Sequence, residues 1–166
     1  MKPSVKVLLV EDQKLIRVGL KSLFEDDNSI DVAYEAETGK DAIEKYKLYK
    51  PDVILMDIGL PDISGLDATK QILELNPYAR IIILTSHLSE SEVQTAMNAG
   101  ACAYVMKDIS TETLKMVIKT VKDGAVWLDP QAVPILREKN TGLIPPRQMS
   151  RSAFKEQHSN LTQREY

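Results

Sequence analysis

The 166 residues include one cysteine, Cys102, and two histidines, His87 and His158. One cysteine cannot close an internal disulfide, and two distant histidines cannot assemble a zinc cluster, so a reducing cytosol is the expected setting. Long apolar runs are missing as well. The N-terminus reads MKPSVKVLLVEDQ, and its apolar run Val7 to Val10 meets Glu11 and Asp12 at once. That is too short for a signal peptide and far below the ~20 residues that span a bilayer. No membrane association is expected, and no internal repeat or low-complexity tract stands out.

The composition itself is ordinary, with 43% hydrophobic and 27% charged residues. A domain of roughly 150 residues buries about 68–70% of its unfolded surface, enough core to hold together without staples. The net charge of −3 divides unevenly: residues 137–166 carry +3 and the remainder −6. A folded acidic body with a mildly basic tail is expected, and the tail reads first as a solvated linker, second as a segment working near nucleic acid.

Apolar runs of strand length recur at Val5 to Val10, Val32 to Ala36, Val53 to Met56, Ile81 to Leu84 and Ala103 to Met106. They do not alternate with polar residues, which is the pattern of a parallel sheet covered on both faces. Between them lie helical stripes: Ile16, Leu20, Leu23 and Phe24; Ala42, Ile43, Tyr46 and Tyr49; Leu66 to Leu75; a short one at Val93, Ala96 and Met97; and Leu114, Val117, Ile118 and Val121. Ser110 is placed to cap the last helix, and Gly100 and Gly124 fall where helices should stop. Five βα units with right-handed crossovers predict an α/β fold, a doubly wound five-stranded parallel sheet of flavodoxin-like order 2-1-3-4-5. Pro130 to Glu138 allows one more short helix, and the stretch beyond reads as a linker.

In that sheet the functional groups gather at the carboxyl ends of the strands. The first strand ends in Glu11 and Asp12, the third in Asp57, the fourth in Thr85 and the fifth in Lys107. Carboxylates a few ångströms apart repel by roughly 4 kcal/mol per pair at an effective dielectric of about 20, so cations must sit among them. Lys107 compensates one charge, and a hard divalent ion such as Mg²⁺ suits the rest. Together with the Thr85 hydroxyl they form a clamp for phosphoryl oxygens, with Asp57 as the nucleophile that becomes an aspartyl phosphate. Taken alone, Asp12 reads equally well as a helix cap; Thr85 as a turn hydroxyl and Lys107 as a surface lysine are the lesser alternatives, and Cys102 reads as a small buried hydrophobe rather than a redox sensor. Met56 and Trp127 read as packing.

VLLVED at 7–12, DVILMDIGLPDISGLD at 52–67, ILTSH at 83–87 and AGACAYVMKD at 99–108 resemble the receiver domain of two-component response regulators, over about residues 5 to 128. The resemblance implies that Asp57 takes a phosphoryl group from a sensor histidine kinase or phosphotransfer protein. It also implies that Glu11, Asp12, Asp57 and the Gly59 carbonyl bind Mg²⁺, that Thr85 and Lys107 hold the phosphoryl group, and that Tyr104 is an aromatic switch turning inward with Thr85. Ser86 and His87 would border the pocket and tune dephosphorylation, an exposed His87 being the plainer reading. Where many receivers follow the lysine with proline, this chain has Asp108, so a cis-proline bend is not expected. That variation and GAVWLDP at 124–130 resemble the NarL/FixJ branch, whose receivers precede LuxR-type helix-turn-helix domains. LTQREY at 161–166 resembles the opening of such a DNA-binding domain.

The expected organisation is therefore a receiver at 1–128, a short helix and linker at 129–160, and the first residues of a truncated DNA-binding domain at 161–166. The expected function is transcriptional control switched by phosphorylation, with DNA contacted through the missing domain, homodimerisation as a further expectation, and no enzymatic turnover beyond the chain's own phosphorylation and dephosphorylation. A stand-alone receiver that signals by docking a protein is the alternative. An aspartyl-phosphate phosphatase is opposed by Gly59, because haloacid-dehalogenase-type enzymes usually carry a second aspartate at that position. A flavodoxin-type cofactor protein is opposed by the lack of a glycine-rich loop after the first strand.

Overall fold

The structure, a computed structural model, describes residues 2–139. Residues up to Leu136 form one compact unit, and of a second unit beginning at Arg137 only the end of one helix is described. The linker and the helix-turn-helix opening expected further on lie outside the described residues.

Among the described residues six parallel strands, β1 (Val5–Val10), β2 (Ile30–Ala36), β3 (Val53–Met56), β4 (Ile81–Thr85), β5 (Ala103–Met106) and β6 (Trp127–Leu128), stand in the order β2-β1-β3-β4-β5-β6. The helices are α1 (Lys14–Ser22), α2 (Gly39–Tyr49), α3 (Gly65–Leu75), α4 (Glu90–Ala99), α5 (Thr111–Lys122) and α6 (Val133–Lys139). The expected five-strand order holds, and β6 extends it by one short strand, with Trp127 opposite Ala103 and Leu128 opposite Tyr104. Two half-buried residues are too few to show a period, which is why Trp127 reads from sequence as packing only.

Alternate residues of each strand feed two cores. Leu8, Ile54, Met56, Ile83 and Tyr104 meet α2, α3 and α4 on one face, while Leu9, Leu55, Ile82 and Val105 meet Phe24 and α5 on the other. Each fully buried Leu or Ile contributes about 1.5–3 kcal/mol, so the doubly covered strands anchor the carboxyl edge where the site lies. Ser110 caps α5 by accepting from the Thr113 N–H at 3.2 Å, and Gly100 ends α4 in the left-handed region at φ 101°. Three expectations are corrected at the margins. Leu23 and Phe24 pack inward from the turn after α1 rather than from within it, Tyr49 is exposed and stacks on Tyr34, and Cys102 is half-buried against the core.

The loop after β3 is tied to a neighbouring helix. Asp62 accepts from the Gly39 and Lys40 backbone N–H groups at 2.8 and 2.9 Å, supplying an anion to the N-terminus of α2. Desolvation would raise the Asp62 carboxyl, but the backbone N–H groups of Lys40, Ile63, Gly39 and Asp62 itself bring it down to about 2. A depressed carboxylate stabilises above its unfolded pKa of about 3.9 and loses that contribution as pH falls through the folded value. Asp62→Ala should therefore be less stable than the parent at pH 7, and the two melting temperatures should converge between about pH 4 and pH 2. A gap that stays constant over that range would show that the clamp carries no linked stability.

Candidate functional site

Backbone register assembles the site before any side chain is considered. Val10 is opposite Met56, and the Asp57 N–H donates to the Val10 carbonyl at 3.0 Å, so Glu11 and Asp57 leave adjacent strands side by side. Thr85 is opposite Met106, and the Lys107 N–H donates to the Thr85 carbonyl at 2.8 Å. Oxygens of Glu11, Asp12 and Asp57 all lie within 4.8 Å of one another. The Lys107 ammonium reaches across to Glu11 Oε2 at 2.6 Å and Asp57 Oδ1 at 3.1 Å.

The charges respond to this crowding. Burial, the largest effect, pushes the Glu11 carboxyl above its usual range; the Lys107 hydrogen bond and the Gln13 N–H oppose it, and the Asp57 charge adds to it. Burial alone would lower the Lys107 ammonium, but hydrogen bonding to Glu11 and the charge of Asp57 hold it above its ordinary value. Lys107 thus stays cationic and serves two carboxylates. The third is left over: Asp12 Oδ1 is buried with no hydrogen-bond partner among the described residues. An orphaned buried carboxylate oxygen is costly unless a cation completes its shell, and three oxygens this close match the hard-donor set that a divalent ion takes. The residues present fit Mg²⁺. Asp12 is also not the cap of α1, since Gln13 occupies that position and makes no side-chain cap bond.

The other expected residues are placed less directly. Gly59 follows closely enough that a methyl group added to it would lie 3.8 Å from Asp57 Oδ2. Thr85 is buried at the end of β4 and joins Lys107 through the backbone, while its hydroxyl accepts from the His87 N–H at 3.3 Å. Tyr104 lies one layer down, fully buried and turned inward, with its hydroxyl donating to the His87 carbonyl at 3.1 Å. Burial, helped by the Glu92 charge and opposed by the Ser89 N–H, pushes that hydroxyl up to about 12, so it stays a donor. Ser86 and His87 are exposed, and the Ser86 hydroxyl and His87 Nδ1 lie 3.2 Å apart.

Sequence reasoning missed Arg17. It reads as one more charge on an amphipathic helix, yet it is buried and hydrogen-bonds the Glu11 carbonyl at 2.7 Å. The only signal in the sequence is the acidic pair Glu35 and Glu37, which it engages at 3.4 and 2.6 Å.

The chain matches the family model described as "Response regulator receiver domain" over residues 7–119. It is 37% identical over 124 residues to the response regulator protein VraR of Staphylococcus saprophyticus, covering 74% of this chain and 59% of that protein. It is 29% identical over 154 residues to the transcriptional regulatory protein DegU of Brevibacillus brevis, covering 92% and 65%. The chain thus spans about three fifths of the length of these curated relatives. Among solved structures, a LuxR-family two-component response regulator from an Aurantimonas species superposes with a TM-score of 0.76 at 30% identity, covering 81% of this chain and 96% of that one. A CheY-like receiver domain from Methanospirillum hungatei superposes at 0.65 and 27% identity, covering 72% and 94%. Receiver domains bind Mg²⁺ through an acidic cluster of the kind formed by Glu11, Asp12 and Asp57. Strand order, strand-end chemistry and the family match over residues 7–119 agree, and the chain belongs to the receiver-domain family of two-component response regulators.

Proposed function

We propose that Asp57 is the phosphoryl acceptor of this receiver, served by Glu11, Asp12 and the Gly59 carbonyl as Mg²⁺ ligands and by Thr85 and Lys107 as partners of the phosphoryl oxygens. The observation that carries the reading is the shared ammonium: Lys107 stands between Glu11 and Asp57 at 2.6 and 3.1 Å, with Asp12 Oδ1 left unpaired beside them. When bound by these carboxylates, Mg²⁺ would draw negative charge from the phosphoryl oxygens and orient the phosphoryl group toward the nucleophile. An oxygen of the Asp57 carboxylate attacks phosphorus, the new O–P bond forms, and the bond to the donor breaks. The leaving group, the imidazole of a phosphohistidine or the carboxylate of a small acyl phosphate, departs with the electron pair. Asp57 loses the charge that held Lys107, and the ammonium transfers its hydrogen bond to a phosphoryl oxygen.

The Thr85 hydroxyl is the second donor, and as it turns toward the phosphoryl group it draws away from the His87 N–H it now accepts at 3.3 Å. That movement reaches Tyr104 through the His87 carbonyl. Phosphorylation shifts the active population only by as much as these contacts favour it.

The output is transcriptional control through a LuxR-type DNA-binding domain, in the arrangement of a receiver at 1–128, a helix and linker at 129–160 and a second domain beginning at 161. The relatives support this, one being called a transcriptional regulatory protein and another structure a LuxR-family regulator. The chain works in the cytoplasm, its phosphoryl donor is a sensor histidine kinase or phosphotransfer protein, and it turns over no substrate besides its own acceptor. Phosphorylation drives homodimerisation, and light scattering that finds the same monomer with and without beryllofluoride would refute that part.

Intact mass after incubation with Mg²⁺ and acetyl phosphate tests the chemistry. One added phosphoryl group is expected on the parent and none on Asp57→Asn. An adduct that survives the substitution would move the acceptor elsewhere, and no adduct on the parent would remove the phosphorylation switch.

A further inference from the structure

We infer that Arg17 is a positioning residue for the acidic cluster, fixing the backbone that carries Glu11 and Asp12 and thereby setting the affinity for the divalent ion. The inference rests on reading those two residues as ion ligands.

The turn between β1 and α1 has little bracing of its own. Its helix end has no side-chain cap, since Gln13 makes no such bond. Glu11 gives one oxygen to Lys107 and accepts the Gln13 N–H with the other at 3.0 Å, while Asp12 has an oxygen with no partner among the described residues, so a single side-chain bond braces the turn from within. Arg17, one turn along α1, reaches back to it. One guanidinium nitrogen donates to the Glu11 carbonyl at 2.7 Å and lies 3.5 Å from the Asp12 carbonyl. The other terminal nitrogen bonds Glu37 at 2.6 Å, and Nε lies 3.4 Å from Glu35. A planar fork can hold a backbone on one side and two carboxylates on the other, whereas an ammonium is a compact point charge without that geometry. Glu35 and Glu37 lie at the end of β2 and just beyond, so the fork also fastens the ion-binding turn to the neighbouring strand.

Charge and geometry predict opposite signs here. As a charge, Arg17 repels an incoming divalent cation, and neutralising it would tighten binding. As a brace, it holds two ligands in place, and losing it weakens binding even though repulsion is relieved.

The test is an Mg²⁺ titration of the 166-residue chain, read from the backbone amide shifts of Glu11 and Asp12. The parent is compared with Arg17→Gln, Arg17→Lys and Glu37→Gln. Outer partners of metal ligands typically cost 10–100-fold in affinity when lost, so both Arg17 variants should bind on the order of tenfold more weakly. Glu37 is 67% exposed at its side chain, so Glu37→Gln should fold normally and weaken binding about twofold by loosening one end of the fork. At saturating Mg²⁺, labelling of Asp57 by acetyl phosphate should return to within about twofold of the parent in every variant, because the reacting groups are untouched.

Unchanged or tighter binding in Arg17→Gln would overturn the inference, as would full retention in Arg17→Lys, which would show that the planar fork is not what holds the turn. If the Arg17 variants do not fold, Glu37→Gln decides, and an unchanged affinity there overturns it. A parent that binds no Mg²⁺ would overturn the metal reading itself. A parent that binds, with variants that bind equally well, would overturn the role of Arg17 alone.

Discussion

Gly65→Ala is expected to lower the melting temperature by roughly 10 °C and to cut acetyl phosphate labelling of Asp57 at least about tenfold. A methyl group built on Gly65 would lie 1.9 Å from the Asp57 carbonyl oxygen and 2.8 Å from its carbonyl carbon. Both are backbone atoms, so no side-chain rotation relieves the clash. The loop is also closed by the Gly65 N–H donating to the Ile58 carbonyl at 2.8 Å, which prevents α3 from simply backing away. Overpacking usually costs about 1–3 kcal/mol and occasionally more, and a contact this short against backbone belongs at or above the upper end. At a few degrees per kcal/mol for a domain of this size, that gives the expected shift. The displaced atoms belong to the acceptor residue, so the chemistry suffers with the fold. Gly19→Ala is the internal control: Gly19 lies within α1 with nothing within 4 Å of an added methyl, and the change should stabilise by about 0.5–1 kcal/mol. A Gly65→Ala protein melting within about 2 °C of the parent would show that the loop can yield.

This close approach marks the limit of what the sequence discloses. The strands are legible because burial on both faces demands unbroken apolar runs, and Val5–Val10, Val53–Met56 and Ala103–Met106 fall where those runs stand. At β2 and β4 the run and the strand differ: β2 begins two residues earlier, at Ile30, where Asp31 interrupts the apolar pattern, and β4 continues through buried Thr85. The strand-end residues Glu11, Asp57 and Lys107 are legible for a related reason, since an ionisable group directly after a buried run is carried by topology to one edge. Arg17, Asp62 and Gly65 are not. Their partners lie on other elements, in the β1–α1 turn, at the start of α2 and at the end of β3, and nothing local distinguishes them from a surface arginine, a turn aspartate or a loop glycine. Sequence periodicity reports which face is buried, whereas these residues act by closing gaps between elements whose packing must already be known. The pairing of β6 with β5 belongs to the same class, because two residues cannot display a period.

Lys107→Ala is expected to cost about 3 kcal/mol of stability in metal-free protein, to regain much of it with Mg²⁺, and to slow labelling of Asp57 by about a hundredfold. Glu11 is 1% exposed, and its Oε2 is held by the Lys107 ammonium at 2.6 Å. Removing that ammonium leaves a buried carboxylate facing the Asp57 charge, a change that typically costs about 3–5 kcal/mol; the lower end is expected because Glu11 can take up a proton instead. The pH dependence follows in sign. The folded state already raises the Glu11 carboxyl above its ordinary value, with Lys107 as the chief opposing influence, so the substitution raises it further. A carboxyl raised in the folded state contributes stability at low pH and loses it as pH rises through the folded value. The deficit of the variant should therefore be small near pH 4.5 and widen toward neutrality, as Glu11 is forced to ionise without its partner. Mg²⁺ supplies a cation to the same carboxylates and binds them more tightly where the Lys107 ammonium no longer competes, so it stabilises the variant more than the parent and the gap should narrow as Mg²⁺ is added at pH 7. Labelling should stay slow even when stability is restored, because the ion replaces the charge of Lys107 but not its hydrogen bond to the phosphoryl oxygen. A variant as stable as the parent at pH 7 without metal would mean that Glu11 finds another partner, and one labelled at the parent's rate would remove Lys107 from the proposed chemistry.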